Sequence, residues 1–157
     1  MKGDLLNGAY HAARHCSPRD CDKGSLQATA FYPTDKDPYP SVNCLEMTGA
    51  SSRIGQLQEL LRIFRAKPRT VRPSHHFAVL NVGAAVAKVS TQSQDSIAIA
   101  FVHQPEEADE THAEIFGLHN LDQFRRQIVA ELLVEEAIRC GIYKAADIDA
   151  GSGFVGR

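Results

Sequence analysis

The first third of the chain carries three short, apolar-rich segments bounded by turn residues. They are "AYHAARHC" (9–16), "LQATAFY" (26–32) and "YPSVNCLEM" (39–47). The intervening "SPRDCDKG" and "PTDKDP" hold Pro, Gly and Asp residues, which favour turns. The pattern predicts three extended strands joined as an antiparallel meander.

The apolar spacing changes to three and four residues in "SSRIGQLQELLRIFRAK" (51–67). The residues with this spacing are Ile54, Leu57, Leu61 and Phe64. Such a period predicts an amphipathic helix with one buried stripe. Ser51 or Ser52 can cap its first turn, and Pro68 ends it because the residue before a proline is displaced from the helical region.

Two later runs, "FAVLNVG" (77–83) and "SIAIAFVHQ" (96–104), are apolar enough to predict central strands that are covered on both faces. The "AAVAKV" between them fits either a short helix or another strand.

A second amphipathic helix is predicted from 121 to 140. Asn120 and Gln123 fit a capping box at its start, and Gly141 fits a left-handed cap at its end. The residues from about 147 onward predict a flexible tail.

The 157-residue length fits one domain. We therefore predict a single α+β domain, with a mostly antiparallel sheet of about five strands and two amphipathic helices packed on it. The net charge of -2 predicts no overall attraction to nucleic acid or to a membrane surface. Because "MKGDLLNGAY" lacks the apolar core of a secretory signal, we expect a cytoplasmic protein with free thiols. No cofactor is predicted.

Candidate chemistry is concentrated in "YHAARHCSPRDCDKG" (10–24). His11 and His15 are four residues apart and share a face in a strand or in a helix, and His11 is a candidate acid–base group. Arg14 needs a carboxylate, a phosphate or solvent, because its charge cannot be buried alone. It is a candidate anion-binding residue if it points into a cleft and a surface charge if it points outward.

The same stretch offers four zinc-type ligands, His11, His15, Cys16 and Cys21. In a strand Cys16 points away from the two histidines, and Cys21 lies beyond a proline turn. This spacing does not give the two short paired knuckles of a structural zinc site, so we predict no metal site.

Two further groups are candidates. Ser41 and Asn43 share one face of a predicted strand, where their side chains can orient a ligand or simply face solvent. His112 and Glu114 follow an acidic loop, and "HAE" matches the His-x-Glu of zinc deaminases. The downstream Pro-Cys-x-x-Cys of those enzymes is absent, so His112 and Glu114 remain only candidate general acids or bases.

The order of "RHCSPRDCDKG", "AFYP", "PYPSVNCLE" and "HAEIFGL" resembles a group of small uncharacterised bacterial proteins. These begin with an Arg-His-Cys stretch, continue to a Ser-Val-Asn-x-Leu-Glu strand and end with a His-Ala-x-Ile-x-Gly segment. The resemblance spans roughly residues 10–120 and implies no function.

The leading hypothesis is a domain that binds, or binds and processes, an anionic small molecule such as a nucleotide between the first strand and the Ser-Val-Asn strand. The alternative is a non-catalytic regulatory or protein-interaction module. Its partner would meet the basic loop at 62–72 and the acidic loop at 106–114. Phosphate-loop, dinucleotide-binding, nucleophile-elbow and His-Glu-x-x-His motifs are missing from the sequence.

Overall fold

The computed structural model describes residues 1–67 and 71–151. The strands are β1 (His11–Cys16), β2 (Cys21–Asp22), β3 (Ser25–Leu26), β4 (Ser41–Cys44), β5 (His76–Asn81), β6 (Ala100–His103), β7 (His112–Phe116) and β8 (Ile142–Lys144). The α-helices are α1 (Arg53–Arg65), α2 (Val82–Gln92), α3 (Gln123–Cys140) and α4 (Ala145–Asp149), and short 3-10 helices span Ala28–Phe31 and Leu45–Thr48.

Six strands form one antiparallel sheet in the order β6-β7-β4-β1-β5-β8, and β2 and β3 form a separate hairpin. The predicted α+β class with a mostly antiparallel sheet is confirmed. The sheet has six strands where five were expected, because the predicted strand at 26–32 is absent and two others, β7 and β8, are present. The described residues also form two further helices, since "AAVAKV" belongs to α2 and the chain after β8 forms α4.

The apolar run of β5 is explained by two cores, one on each face of the sheet. Ala78 and Leu80 point into a first core that contains the buried residues of α2 and α3. Phe77 and Val79 point into a second core built around α1 and α4. The prediction of a central strand covered on both faces is confirmed for β5.

The prediction of a central strand is wrong for 96–104. Strand β6 is the last strand of the sheet, and the N-terminal segment lies along its outer side. The Gly3 and Leu6 N–H groups donate to the His103 and Phe101 carbonyls, and the His103 N–H donates to the Asp4 carbonyl. The run is apolar because residues such as Ile99 and Phe101 fill the first core.

The predicted middle strand of the meander, 26–32, is also wrong. Residues Ala28–Phe31 form a 3-10 helix outside the sheet. A strand would point Ala30 and Phe31 to opposite faces, whereas both side chains are buried in the first core. As a result, β1 and β4 pair directly with each other.

Strand β1 pairs unequally with its two neighbours. It pairs with β5 over all six of its residues. Its pairing with β4 covers only Ala12 and Ala13. The two strands therefore separate from Arg14 onward, and this gap positions the candidate site.

The ends of helix α3 correct two further expectations. The N-cap of α3 is Asp122, whose carboxylate accepts from the Arg125 N–H at 2.8 Å, so the capping box from Asn120 to Gln123 does not form. Gly141 has φ 125° and ψ 145°, outside the left-handed helical region. The Tyr143 ring would lie 2.9 Å from a Cβ at this glycine.

The expected tail begins in an ordered element. Helix α4 includes residues 147–149, and Ile148 is buried in the second core. The rest of that tail, 152–157, lies outside the described residues, as do Pro68, the predicted end of α1, and Arg69 of the basic loop.

Candidate functional site

The gap between β1 and β4 opens into a cavity of about 480 Å³. The cavity is bordered by the end of α1, the turn after β1 and the loops before β4 and β7. Four of the six residues predicted as catalytic or ligand-binding line it: Arg14, Ser41, Asn43 and His112. Polar residues that are far apart in the chain thus converge in one concave site.

Arg14 is held in a fixed orientation at the mouth of the gap. Its Nε donates to the Ala30 carbonyl and its Nη1 to the Ser41 carbonyl, both at 2.7 Å. Asp37 is the nearest carboxylate, with an Nη1 to Oδ2 distance of 3.5 Å. The side chain is only 16% exposed. The two carbonyl groups orient the guanidinium, and Asp37 offsets part of its charge through a long ion pair. Among the described residues Nη2 has no hydrogen-bond partner, so it is the donor left for a ligand.

The Ala30 carbonyl reaches Arg14 because residues 28–31 form a 3-10 helix and not the predicted strand. The Ser41 carbonyl is available because β1 and β4 no longer pair at this point. The 3-10 helix, which replaces the predicted middle strand, and the short pairing of β1 with β4 therefore both help to build the site.

Asn43 belongs to a buried polar network. Its Nδ2 donates to Asp109 Oδ2 and contacts Thr111 Oγ1, both at 2.8 Å. Lys67 Nζ donates to the same Asp109 carboxylate at 2.6 Å, and the Thr111 hydroxyl donates to its other oxygen at 2.6 Å. The network fixes Asn43 and Lys67 beside each other on the cavity wall.

Asp109 is ionised at the centre of this network although its side chain is fully buried. Burial alone would raise the pKa of Asp109. The hydrogen bonds from Lys67, Thr111 and Asn43, with the charge of Lys67, outweigh burial and hold the pKa below its ordinary value.

His112 presents one ring nitrogen towards the cavity. Its Nδ1 is 2.7 Å from the Gln104 carbonyl. A carbonyl only accepts, so Nδ1 carries the proton and the Nε2 of the neutral ring has a free lone pair. Nε2 lies 3.6 Å from Glu106 Oε1. His112 is therefore positioned as the acid–base candidate of the cavity.

His15 forms the opposite wall with aromatic neighbours. Its Nε2 lies 2.9 Å from His75 Nδ1, and its ring packs against Phe64 and Phe77 at centroid distances of 5.5 and 5.4 Å. Burial, together with the charge of Arg72, lowers the pKa of His75. This wall offers ring surface in a cavity that is otherwise polar.

Two predicted catalytic residues lie outside the cavity lining. His11 shares a face of β1 with His15, as predicted, but four residues of strand separate their Cα atoms by about 13 Å. Its Nδ1 lies 2.8 Å from Glu46 Oε2. Glu114 lies on β7 opposite Ser41. Burial raises its pKa, and the nearby Asp37 and Glu106 carboxylates raise it further, against the effect of His112.

All four cysteines are free thiols, and the described residues contain no cluster of three or more His, Cys, Asp or Glu side chains arranged to hold a metal ion. Cys16 points into the first core, away from His11 and His15. Burial raises the pKa of Cys16 to about 12 and that of Cys44 to about 11.

The basic and acidic loops pair with each other and with the rest of the chain. Lys67 contacts Asp109 and Glu106 of the acidic loop at 2.6 and 3.7 Å. Arg65 forms two hydrogen bonds to the Asp149 carboxylate of α4. These ion pairs join the basic first half of the chain to the acidic second half.

Lys36, Lys67 and Asp109 were not among the site residues predicted from the sequence. Lys67 and Asp109 are 42 residues apart, and they meet only because α1 ends over the strands that carry Asn43 and His112. The local sequence indicated Lys67 and Asp109 only through the charge of the basic and acidic loops that carry them.

Comparisons of the chain with protein-family models, curated proteins and solved structures find no significant match. Among the described residues, none of the helices has the length and apolar character needed to cross a membrane.

Proposed function

We propose that the protein binds a small anionic molecule in the cavity between β1 and β4. The orientation of Arg14 carries this proposal. A part-buried guanidinium fixed by two backbone carbonyls is preorganised for a carboxylate or a phosphate, because its remaining N–H groups need no rearrangement on binding. Nucleotides, phosphate monoesters and carboxylates belong to this ligand class.

Other lining residues support the same function. Lys36 is exposed and adds a second positive charge to the cavity. Ser41 and Asn43 supply polar groups, and a volume of about 480 Å³ is in the range of small-molecule sites. His112 is the residue to which we assign proton transfer, should the bound molecule be processed.

Mutual pairing of the charged loops favours ligand binding over the alternative of a partner-binding module. Lys67 and Arg65 already have carboxylate partners within the chain. A protein partner recognised through these loops would have to displace those partners.

Calorimetry and thermal-shift assays with inorganic phosphate, phosphate monoesters and nucleotides test the proposal. We expect saturable binding that weakens at high salt. Lys36→Ala should weaken it about tenfold, since one charged contact is lost. Lys2→Ala removes the same side chain from an exposed position outside the cavity and should leave affinity unchanged.

Arg14→Lys keeps the charge but loses the planar fork, and we expect a larger loss than for Lys36→Ala. Binding by none of these ligands, or equal effects of the Lys36 and Lys2 variants, would contradict the proposal.

A further inference from the structure

The cavity also contains a negatively charged side chain, Asp20, which an anionic ligand alone does not explain. Asp20 lines the cavity, and its side chain is only 14% exposed. Its carboxylate accepts from the Thr29 hydroxyl at 2.9 Å. Among the described residues, the one cation that forms an ion pair with it is Arg19, which is 85% exposed and 3.9 Å away. A largely buried carboxylate is thus left with weak compensation.

The other charges around the cavity also leave the Asp20 carboxylate without a strong cationic partner. Of the residues that the structure describes, three with cationic side chains line it, Arg14, Lys36 and Lys67. Three carboxylates of the same part of the chain also line it, Asp20, Asp37 and Glu106. Within the described residues, the buried Asp109 adds a fourth carboxylate and takes up the charge of Lys67. A ligand with only negative charge would be attracted by Arg14 and repelled by Asp20.

We propose that the ligand is a zwitterion, whose anionic group binds Arg14 and whose ammonium group binds Asp20. Small amino acids and amine-bearing phosphate esters have this chemistry. The inference rests on the proposed function, because it assigns the anionic group to the same Arg14 site. It adds a positive group to the ligand and a specificity-determining role for Asp20.

Two pairs of matched probes test separately whether the site binds an anionic group and whether it also binds an ammonium group. O-phosphoethanolamine and ethyl phosphate share a phosphate and differ in the ammonium group, and β-alanine and propionate are the corresponding carboxylate pair. Affinities are measured by calorimetry or by NMR titration of the full chain. We expect the ammonium-bearing member of each pair to bind at least about tenfold more tightly, as for a part-buried ion pair.

Asp20→Asn keeps the shape and the acceptor for Thr29 but removes the charge. It should bring the two members of each pair to equal affinity while retaining phosphate binding. Asp22→Asn is the matched control, since Asp22 is exposed on β2 and does not line the cavity. It should preserve the tenfold preference, and circular dichroism verifies that both variants are folded.

The outcomes distinguish the two proposals. Equal binding of both members, or tighter binding of the purely anionic one, would overturn the zwitterion and leave the anion-binding function intact. The same preference in Asp20→Asn as in the parent would overturn the role of Asp20. Failure of every probe to bind would overturn both proposals.

Discussion

Asp109 gives the clearest prediction at the scale of single residues. Asp109→Asn removes the charge that holds Lys67 and weakens the contacts of Asn43 and Thr111. We expect a loss of about 2 kcal/mol in the free energy of unfolding at neutral pH, the range of hydrogen bonds to a charged group. Urea unfolding measures it, and Glu110→Gln, at the exposed neighbouring position, should have little effect.

The pH dependence of the same variant has a defined sign. The pKa of Asp109 is lowered in the folded protein, so the group stabilises the fold above its unfolded pKa of about 3.9. That contribution is lost as the pH falls through the lower folded-state pKa. The destabilisation by Asp109→Asn should therefore shrink in acid. An equal difference between variant and parent at neutral and strongly acidic pH would contradict it.

Helix α1 gives a prediction at the scale of elements. The sequence left Ser51 and Ser52 open as its cap, and the structure selects Ser52, whose hydroxyl accepts from the Gly55 N–H at 3.1 Å. Ser52→Ala should lower the free energy of unfolding by about 1 kcal/mol. Ser51→Ala should change it far less. Urea unfolding of the two variants measures the difference, and equal effects would show that this cap does not stabilise the helix.

Elements governed by local signals could be predicted from the sequence. The spacing of Leu57 and Leu61 and the serine cap located α1 to within two residues at each end. The 26–32 segment could not be predicted, because its turn is imposed by burial of Ala30 and Phe31 in one core. Strand β6 was predicted as apolar, but its place at the edge follows from long-range pairing with β7.

The site was predictable only in part, because it also depends on contacts between residues that are far apart in the sequence. Arg14, Ser41 and Asn43 could be found because they lie on adjacent strands that are close in sequence. Lys67 and Asp109 come from distant loops, and no local pattern brings them together. Contacts of this range depend on how α1 crosses the sheet.

The buried thiols give a prediction for the whole molecule. Cys16, Cys21 and Cys44 are at most 2% exposed, and burial raises the pKa of each. Because the thiolate is the reactive form, native protein at neutral pH should react at these sites only after unfolding. Burial and the Glu136 carboxylate also raise the pKa of Cys140, but this thiol is partly exposed, so a thiol reagent should modify it first.

The control for this prediction is the same reaction in denaturant, where all four cysteines should be modified rapidly. Peptide mapping after a short native pulse identifies the sites. Fast native labelling of Cys16 or Cys44 would mean that the sheet opens locally without global unfolding.

The N-terminal segment beside β6 has a consequence for the behaviour of the protein in concentrated solution. An exposed outer strand offers unpaired N–H and C=O groups to strands of other molecules. Here Gly3, Asp4 and Leu6 take up those groups along β6. The N-terminal segment thereby occupies the edge of β6 from Phe101 to His103, and we expect it to hinder pairing of this edge with strands of other molecules.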